Sequence, residues 1–191
     1  YTLSLHDALP IYLALIDVMG HGPSSAMVAI AVSQMFMDHA SLYTLEENVS
    51  RINKMLCNVN RENPDYEKFV SALFIEIDQS AHLMRYANTG HPDFLLVDKK
   101  HEVHAYASNN MILGIFEIAE IQVDSVDLST VERIIGFTDG YYENDDIALD
   151  EAIQNLKEQI SQDNSSETLF LKFDEQLHIK DDATLFVLNI F

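Results

Sequence analysis

Leu13-Ala14-Leu15-Ile16-Asp17-Val18-Met19-Gly20-His21-Gly22-Pro23 decides how this chain reads. An apolar run feeds one carboxylate into a glycine-rich turn, and a helical pattern follows. A short apolar run closed by a turn signal marks a buried strand, so Leu13 to Ile16 are expected as a strand with Asp17 at its end. Gly20 and Gly22 let the backbone turn sharply and approach another group closely. A carboxylate at a strand end is placed to bind a cation at the rim of a sheet. An Asp also opens tight turns through its own side chain, and this stretch alone leaves both explanations open.

Two later stretches repeat the pattern. Ile134-Ile135-Gly136-Phe137-Thr138-Asp139-Gly140 is again an apolar run, then Asp, then Gly, and Asp181-Asp182 precede the strand-like run Ala183 to Phe191. If those strands neighbour one another, Asp17, Asp139 and Asp181 converge. Carboxylates so placed repel and raise one another's pKa unless a cation intervenes. Oxygen-only ligands suit Mg2+, Mn2+ or Ca2+ rather than Zn2+.

Asp17-Val18-Met19-Gly20-His21-Gly22 resembles the Asp-Val-Ser-Gly-His-Gly motif of the metal-dependent PPM (PP2C-like) serine/threonine phosphatases, in their bacterial SpoIIE/RsbU branch. Tyr86-Ala87-Asn88-Thr89-Gly90-His91-Pro92 resembles that branch's Tyr-Ala-Asn-Ala-Gly-His. Thr138-Asp139-Gly140 with Glu143 resembles its Thr-Asp-Gly-x-x-Glu, and Asp181-Asp182-Ala183-Thr184-Leu185 its terminal Asp-Asp-Ile-Thr-Leu. The motifs stand in family order.

The resemblance implies an α-β-β-α sandwich of two antiparallel sheets flanked by helices. It implies hydrolysis of phosphoserine or phosphothreonine on a bacterial regulatory protein by water activated by two Mn2+ or Mg2+ ions. In that scheme Asp17 bridges the ions, the Val18 backbone carbonyl binds one, and Asp139 and Asp181 complete the ligands present. Gly20, His21, Gly140 and Asp182 fall on supporting positions. The eukaryotic PP2C enzymes carry a candidate acid, His, directly after the Asp-Gly of their motif. Met19 stands at the aligned place here, which leaves His21 as a turn residue. The implied partners are a phosphorylated protein, such as an anti-sigma-factor antagonist, an upstream sensor or receiver domain, and a second copy in a homodimer.

Residues 1–11 depart from the family and resemble a translated sequencing-adapter oligonucleotide, so they are expected to be a non-native segment, with 12–191 as the phosphatase domain. The family places a first strand upstream whose Gly-Gly-Asp also binds metal. Without it the domain is expected to lack that strand and one ligand, and Asp7 lies too close to Asp17 in sequence to replace it. A catalytically impaired pseudophosphatase or a protein-binding module on the same fold is therefore the alternative. A different acidic metal enzyme, such as a phosphodiesterase, fits the Asp residues but not the four ordered motifs.

Composition bounds these expectations. The 191 residues are within the size of one domain, and 48% are hydrophobic, as in a folded globular protein. The net charge of −20 argues against nucleic acid and anionic membranes as partners. Cys57 is the single cysteine, so no intrachain disulfide forms, and a reducing compartment, the cytoplasm, is expected. It falls in a helical pattern and reads as core. No apolar run is long enough to span a bilayer, so no membrane insertion is expected.

Along the chain, Pro23 to about Leu42 reads as a helix capped by Ser24 or Ser25, with Met27, Met35 and Met37 as core packing. Thr44 and Glu47 form a capping box for a second helix ending near Asn63-Pro64. Phe69 to Asp78 and His82 to Ala87 read as a hairpin, as do Phe94 to Val97 and Val103 to Tyr106. His91 has three candidate tasks: contact with substrate, support of a metal site, or a loop bond to backbone. His101 and His104 have no Cys or further His beside them, which argues against zinc. Ile118 to Leu128 alternates like a strand, as does Val131 to Phe137. Residues 147–160 and 165–178 read as helices, with Glu143-Asn144-Asp145-Asp146 as a solvated loop. Blocks of strands and helices favour α+β over a doubly wound sheet.

Overall fold

The computed structural model describes residues 9–143, 147–162, 169–170 and 182–190. They divide into two compact units: the first holds residues up to His91 together with Ser108–Ser129, the second Pro92–Ala107 and the chain from Thr130 onward.

The first unit is a four-stranded antiparallel sheet with two helices against one face. Its strands are β1 (Ile11–Val18), β2 (Val70–Asp78), β3 (Leu83–Thr89) and β6 (Asp124–Asp127), in the order β1-β2-β3-β6. The helices are α1 (Pro23–His39) and α2 (Leu45–Glu62). Side chains alternate across the strands, so Ile16, Val18, Val70, Ala72 and Phe74 turn to the helices and meet Val32, Phe36, Val49, Ile52 and Leu56. Phe36 and Phe74 lie 4.9 Å apart, centroid to centroid, and burial of each contributes about 1.5–3 kcal/mol. Asp17 and its cross-strand partner Ser71 alternate onto the opposite, helix-free face.

The capping box forms as expected, with Glu47 N–H donating to Thr44 Oγ1 (3.2 Å) and Thr44 N–H to Glu47 Oε2 (3.0 Å). Helix α1 departs from expectation in two ways. Its N-cap is Gly22, without a side-chain cap, and Ser25 instead reaches back to the Met19 carbonyl (3.4 Å). Met27 and Met37 are 71% and 54% exposed, while Met35 packs partly against the core. The helix is apolar on all sides, so its sequence does not say which stripe meets the sheet, and Val32 and Phe36 take that place. The expected strand Ile118–Leu128 shrinks to Asp124–Asp127. Asn110 accounts for part of this, because its side chain accepts from Gln122 N–H (2.8 Å) and donates to Gln122 O (2.9 Å), occupying groups a ladder would use.

The second unit carries β4 (Phe94–Asp98), β5 (Val103–Tyr106), β7 (Val131–Phe137) and β8 (Leu185–Asn189), antiparallel in the order β5-β4-β7-β8. A short helix α3 (Gly140–Glu143) follows β7, and α4 (Leu149–Gln162) packs Ala152, Ile153, Leu156 and Ile160 onto Leu95, Val97, Ile135 and Phe137. The fold class is the expected α+β with two antiparallel sheets and helices. Residues 144–146, most of the expected helix 165–178, and Asp181 lie outside the described residues. No helix among the described residues is long and apolar enough to cross a membrane.

Candidate metal centre

In the first unit, β1 ends in the Asp17 turn. Met19 N–H donates to the Phe69 carbonyl at 2.9 Å, continuing the ladder one residue past β1. Because that peptide is planar and trans, the Val18 carbonyl points away from β2. Asp17 is half-buried, and Met19, Gly20, His21 and Gly22 are exposed. Gly20 and Gly22 hold φ of 85° and 87°, a region that disfavours side chains. Lys68 Nζ donates to the Met19 carbonyl at 3.3 Å. The Lys68 backbone is itself clamped by Asn60 of α2, which accepts from its N–H and donates to its carbonyl, both at 2.9 Å. His21 sits exposed in the turn, as expected.

In the second unit, β7 ends in the Asp139 turn. Thr138 N–H donates to the Thr184 carbonyl (3.0 Å), and Thr184 N–H returns to Thr138 Oγ1 (2.9 Å). The Asp139 carbonyl accepts from Tyr142 N–H (3.0 Å) and Glu143 N–H (2.9 Å), which starts α3. A Cβ on Gly140 would overlap the Asp182 carbonyl. Only glycine therefore lets the Asp139 turn lie against the backbone of the terminal acidic pair. Asp139 is half-buried and Asp182 exposed. The structure thus brings the Asp139 turn and the Asp182 backbone together, while Asp17 and the Val18 carbonyl belong to the first unit. The donors in both turns are carboxylate and carbonyl oxygens, the set that fits a hard divalent cation.

The Asn88 to His91 stretch closes β3. His91 is 3% exposed, and its N–H donates to Asn88 Oδ1 at 2.9 Å. Its ring Nδ1 lies 3.2 Å from the Ser71 hydroxyl, a side-chain partner rather than the backbone one considered from sequence. Ser71 and Lys68 belong to no motif and were not legible as site residues. The available sign was slight: Ser71 is the one polar residue from Phe69 to Ile75.

Other clusters stand apart from the motifs. Asp98, Glu102 and His104 on the β4–β5 hairpin place their ligand atoms within 4.8 Å of one another. Asp98 spends its carboxylate on the N–H groups of Glu102 (2.9 Å) and Lys100 (2.8 Å). Hydrogen bonding from the Glu102 backbone leads the causes that hold Asp98 below the usual carboxylate range. Cys57 is buried, as expected, and burial pushes its thiol up, away from a nucleophile's requirement.

The family model described as Stage II sporulation protein E (SpoIIE) matches residues 10–191. Phosphoserine phosphatase RsbP of Bacillus subtilis is 25% identical over 186 residues, covering 92% of this chain and 44% of RsbP. The crystal structure of the RsbU and RsbW domains of a Mycobacterium tuberculosis protein superposes with a TM-score of 0.78 at 21% identity, over 94% of this chain and 53% of that one. The structure of the PP2C phosphatase domain and a regulatory-domain fragment of SpoIIE from Bacillus subtilis gives a TM-score of 0.76 at 16% identity, over 98% of this chain and 56% of that one. The chain thus spans about half the length of these relatives. With the two antiparallel sheets, the Asp-tipped strands and a match across nearly its whole length, this chain belongs to the SpoIIE family.

Proposed function

We propose that this chain is the catalytic domain of a metal-dependent protein phosphatase acting on phosphoserine or phosphothreonine of a bacterial regulatory protein, with an anti-sigma-factor antagonist as the substrate class. Two Mg2+ or Mn2+ ions are the proposed cofactors. When bound, they supply Lewis-acid chemistry, acidifying water and neutralising phosphoryl charge.

The chain's own residues hold and orient. Asp17 and the Val18 carbonyl are the proposed donors of the first unit, and Asp139 and Asp181 those of the second. Gly20 and Gly22 give the Asp17 turn its shape, and Gly140 admits the Asp182 backbone beside the Asp139 turn. Asp182 and His21 are proposed as supports of these turns rather than as acids or bases. Catalysis of phosphoryl transfer asks mainly for positioning and charge stabilisation, which rigid strand ends provide. The observation that carries the proposal is the close approach of Gly140 to Asp182, since it joins two acidic motifs some forty residues apart in sequence.

Residues 1–11 are proposed as non-native, and an upstream regulatory domain and a homodimer remain part of the proposal for the natural parent. The test is hydrolysis of p-nitrophenyl phosphate and a phosphoserine peptide with Mn2+, with EDTA as the control. Turnover that requires the metal and is lost in Asp139→Asn supports a phosphatase. Metal-independent binding of a phosphoprotein without turnover would assign the chain to binding modules instead.

A further inference from the structure

A polar row crosses the helix-free face of the first sheet at the end that bears the Asp17 turn. Asp17 on β1 pairs with Ser71 on β2, and opposite residues of an antiparallel pair share a face with Cβ atoms about 5 Å apart. On the other side of Ser71, His91 follows β3 and brings Nδ1 to 3.2 Å from the Ser71 hydroxyl. Carboxylate, hydroxyl and imidazole thus lie side by side on three adjacent chain segments. Around them β2 is apolar: Val70, Ala72, Leu73, Phe74 and Ile75 are all buried.

The backbone that carries the imidazole is held from several sides. Asn88 Oδ1 accepts from His91 N–H, and Asn88 N–H donates to Asn109 Oδ1 at 2.8 Å. Asn109 donates in turn to Asp124 Oδ2 at 2.8 Å. Gly90 turns the chain at φ 70°, where a Cβ would meet the Ile112 backbone N at 3.0 Å. Burying a polar ring is costly unless it finds hydrogen-bond partners, and the Ser71 hydroxyl is the one that the buried His91 Nδ1 meets. A hydroxyl has one donor and two acceptor sites, so a serine that accepts from an imidazole still has a proton to give.

We propose that His91 and Ser71 are positioning residues for the Asp17 carboxylate. His91 Nδ1–H donates to the Ser71 hydroxyl, and that hydroxyl turns its proton to Asp17 when a divalent cation is bound. The carboxylate is thereby held in one orientation toward the cation. This rests on the assignment of Asp17 as a metal ligand.

The test is Mn2+ binding to the purified chain, read by EPR of the free ion, with thermal melting of the metal-free protein alongside. Hydrogen-bond partners of a ligating carboxylate typically matter about 10–100-fold in metal affinity. Ser71→Ala and His91→Ala are each expected to weaken Mn2+ binding about tenfold or more. The double variant is expected to be little worse than either, and His91→Asn, which keeps a donor near the Nδ1 position, to recover most of the loss. Should His91→Ala fail to fold, Ser71→Ala, which removes a single oxygen, carries the test. Affinity within twofold of the parent in Ser71→Ala, and in His91→Ala where it folds, with binding abolished in Asp17→Asn, would overturn the positioning role alone. Unaltered binding in Asp17→Asn would overturn the ligand assignment beneath it.

Discussion

The Asp17 and Asp139 turns begin alike and are secured differently. Each takes an apolar strand into Asp and then Gly. At Asp17 the backbone leaves the sheet through two left-handed glycines into a 17-residue helix, and past the Met19–Phe69 backbone bond side chains hold the turn: Lys68 Nζ and Ser25 Oγ both donate to the Met19 carbonyl. At Asp139 the chain enters a 4-residue helix, and backbone groups hold the turn, through Thr138 N–H on the Thr184 carbonyl and the press of Gly140 on Asp182, with Thr138 Oγ1 as one added side-chain acceptor. An exposed turn held by flexible side-chain tips tolerates substitution of its holders. A turn clamped by backbone does not. Similar motifs therefore predict different sensitivities.

The largest effect that probes this comparison should be common to both turns. Mn2+ at a hundredfold excess over its Kd stabilises a protein by about 2.7 kcal/mol, and Asp17→Asn and Asp139→Asn are each expected to remove this gain in a thermal melt. A metal-induced rise in Tm that persists in one variant would break the symmetry between the turns. Next comes Gly140→Ala, whose methyl meets the Asp182 backbone and is expected to cost about 2–3 kcal/mol in urea unfolding. Gly22→Ala meets nothing within 4 Å and carries only the strain of φ 87°, so a cost nearer 1–2 kcal/mol is expected. Equal costs would remove the distinction between backbone clamp and open turn.

Smaller still is Thr138→Val, which strips the Thr184 N–H of its side-chain acceptor and is expected to cost about 1 kcal/mol in the same unfolding measurement. The least effect is expected from Lys68→Met, under about 0.5 kcal/mol, because its ammonium is exposed to solvent and only one bond from its tip to the turn is lost. A larger loss in Lys68→Met than in Thr138→Val would invert the comparison.

What the sequence disclosed follows from which signals are local. The Thr44–Glu47 capping box, the β2–β3 hairpin and the strand before Asp139 each depend on neighbours within a few residues, and each is found where expected. Helix α1 was located correctly, but its inward face was hidden because apolar residues surround it. The stretch from Ile118 to Val123 alternates like a strand, yet Asn110, eight or more residues away, holds Gln122 outside the ladder. The buried Asn53 and Asn60 of α2 look like breaks in an amphipathic pattern. In the fold they bind backbone groups of Gly114 and Phe116, remote in sequence, and Asn60 also binds that of Lys68 just beyond the helix. Of the candidate site, the Asp-tipped turns were legible from their motifs. Ser71 was not, because its meaning comes from strand register and from His91, and no spacing rule links residue 71 to residues 17 and 91.

The central claim is that Asp17 and Asp139 serve one metal-dependent hydrolysis. Its most direct test is the kcat/KM for a phosphoserine peptide in saturating Mn2+, measured for Asp17→Asn, Asp139→Asn and the double variant. Groups that act as a unit are strongly non-additive. Each single variant is expected to lose about a thousandfold or more, several kcal/mol of transition-state stabilisation, and the double variant little beyond that. Losses that multiply in the double variant, or a single variant that keeps the parent's rate, would contradict the claim.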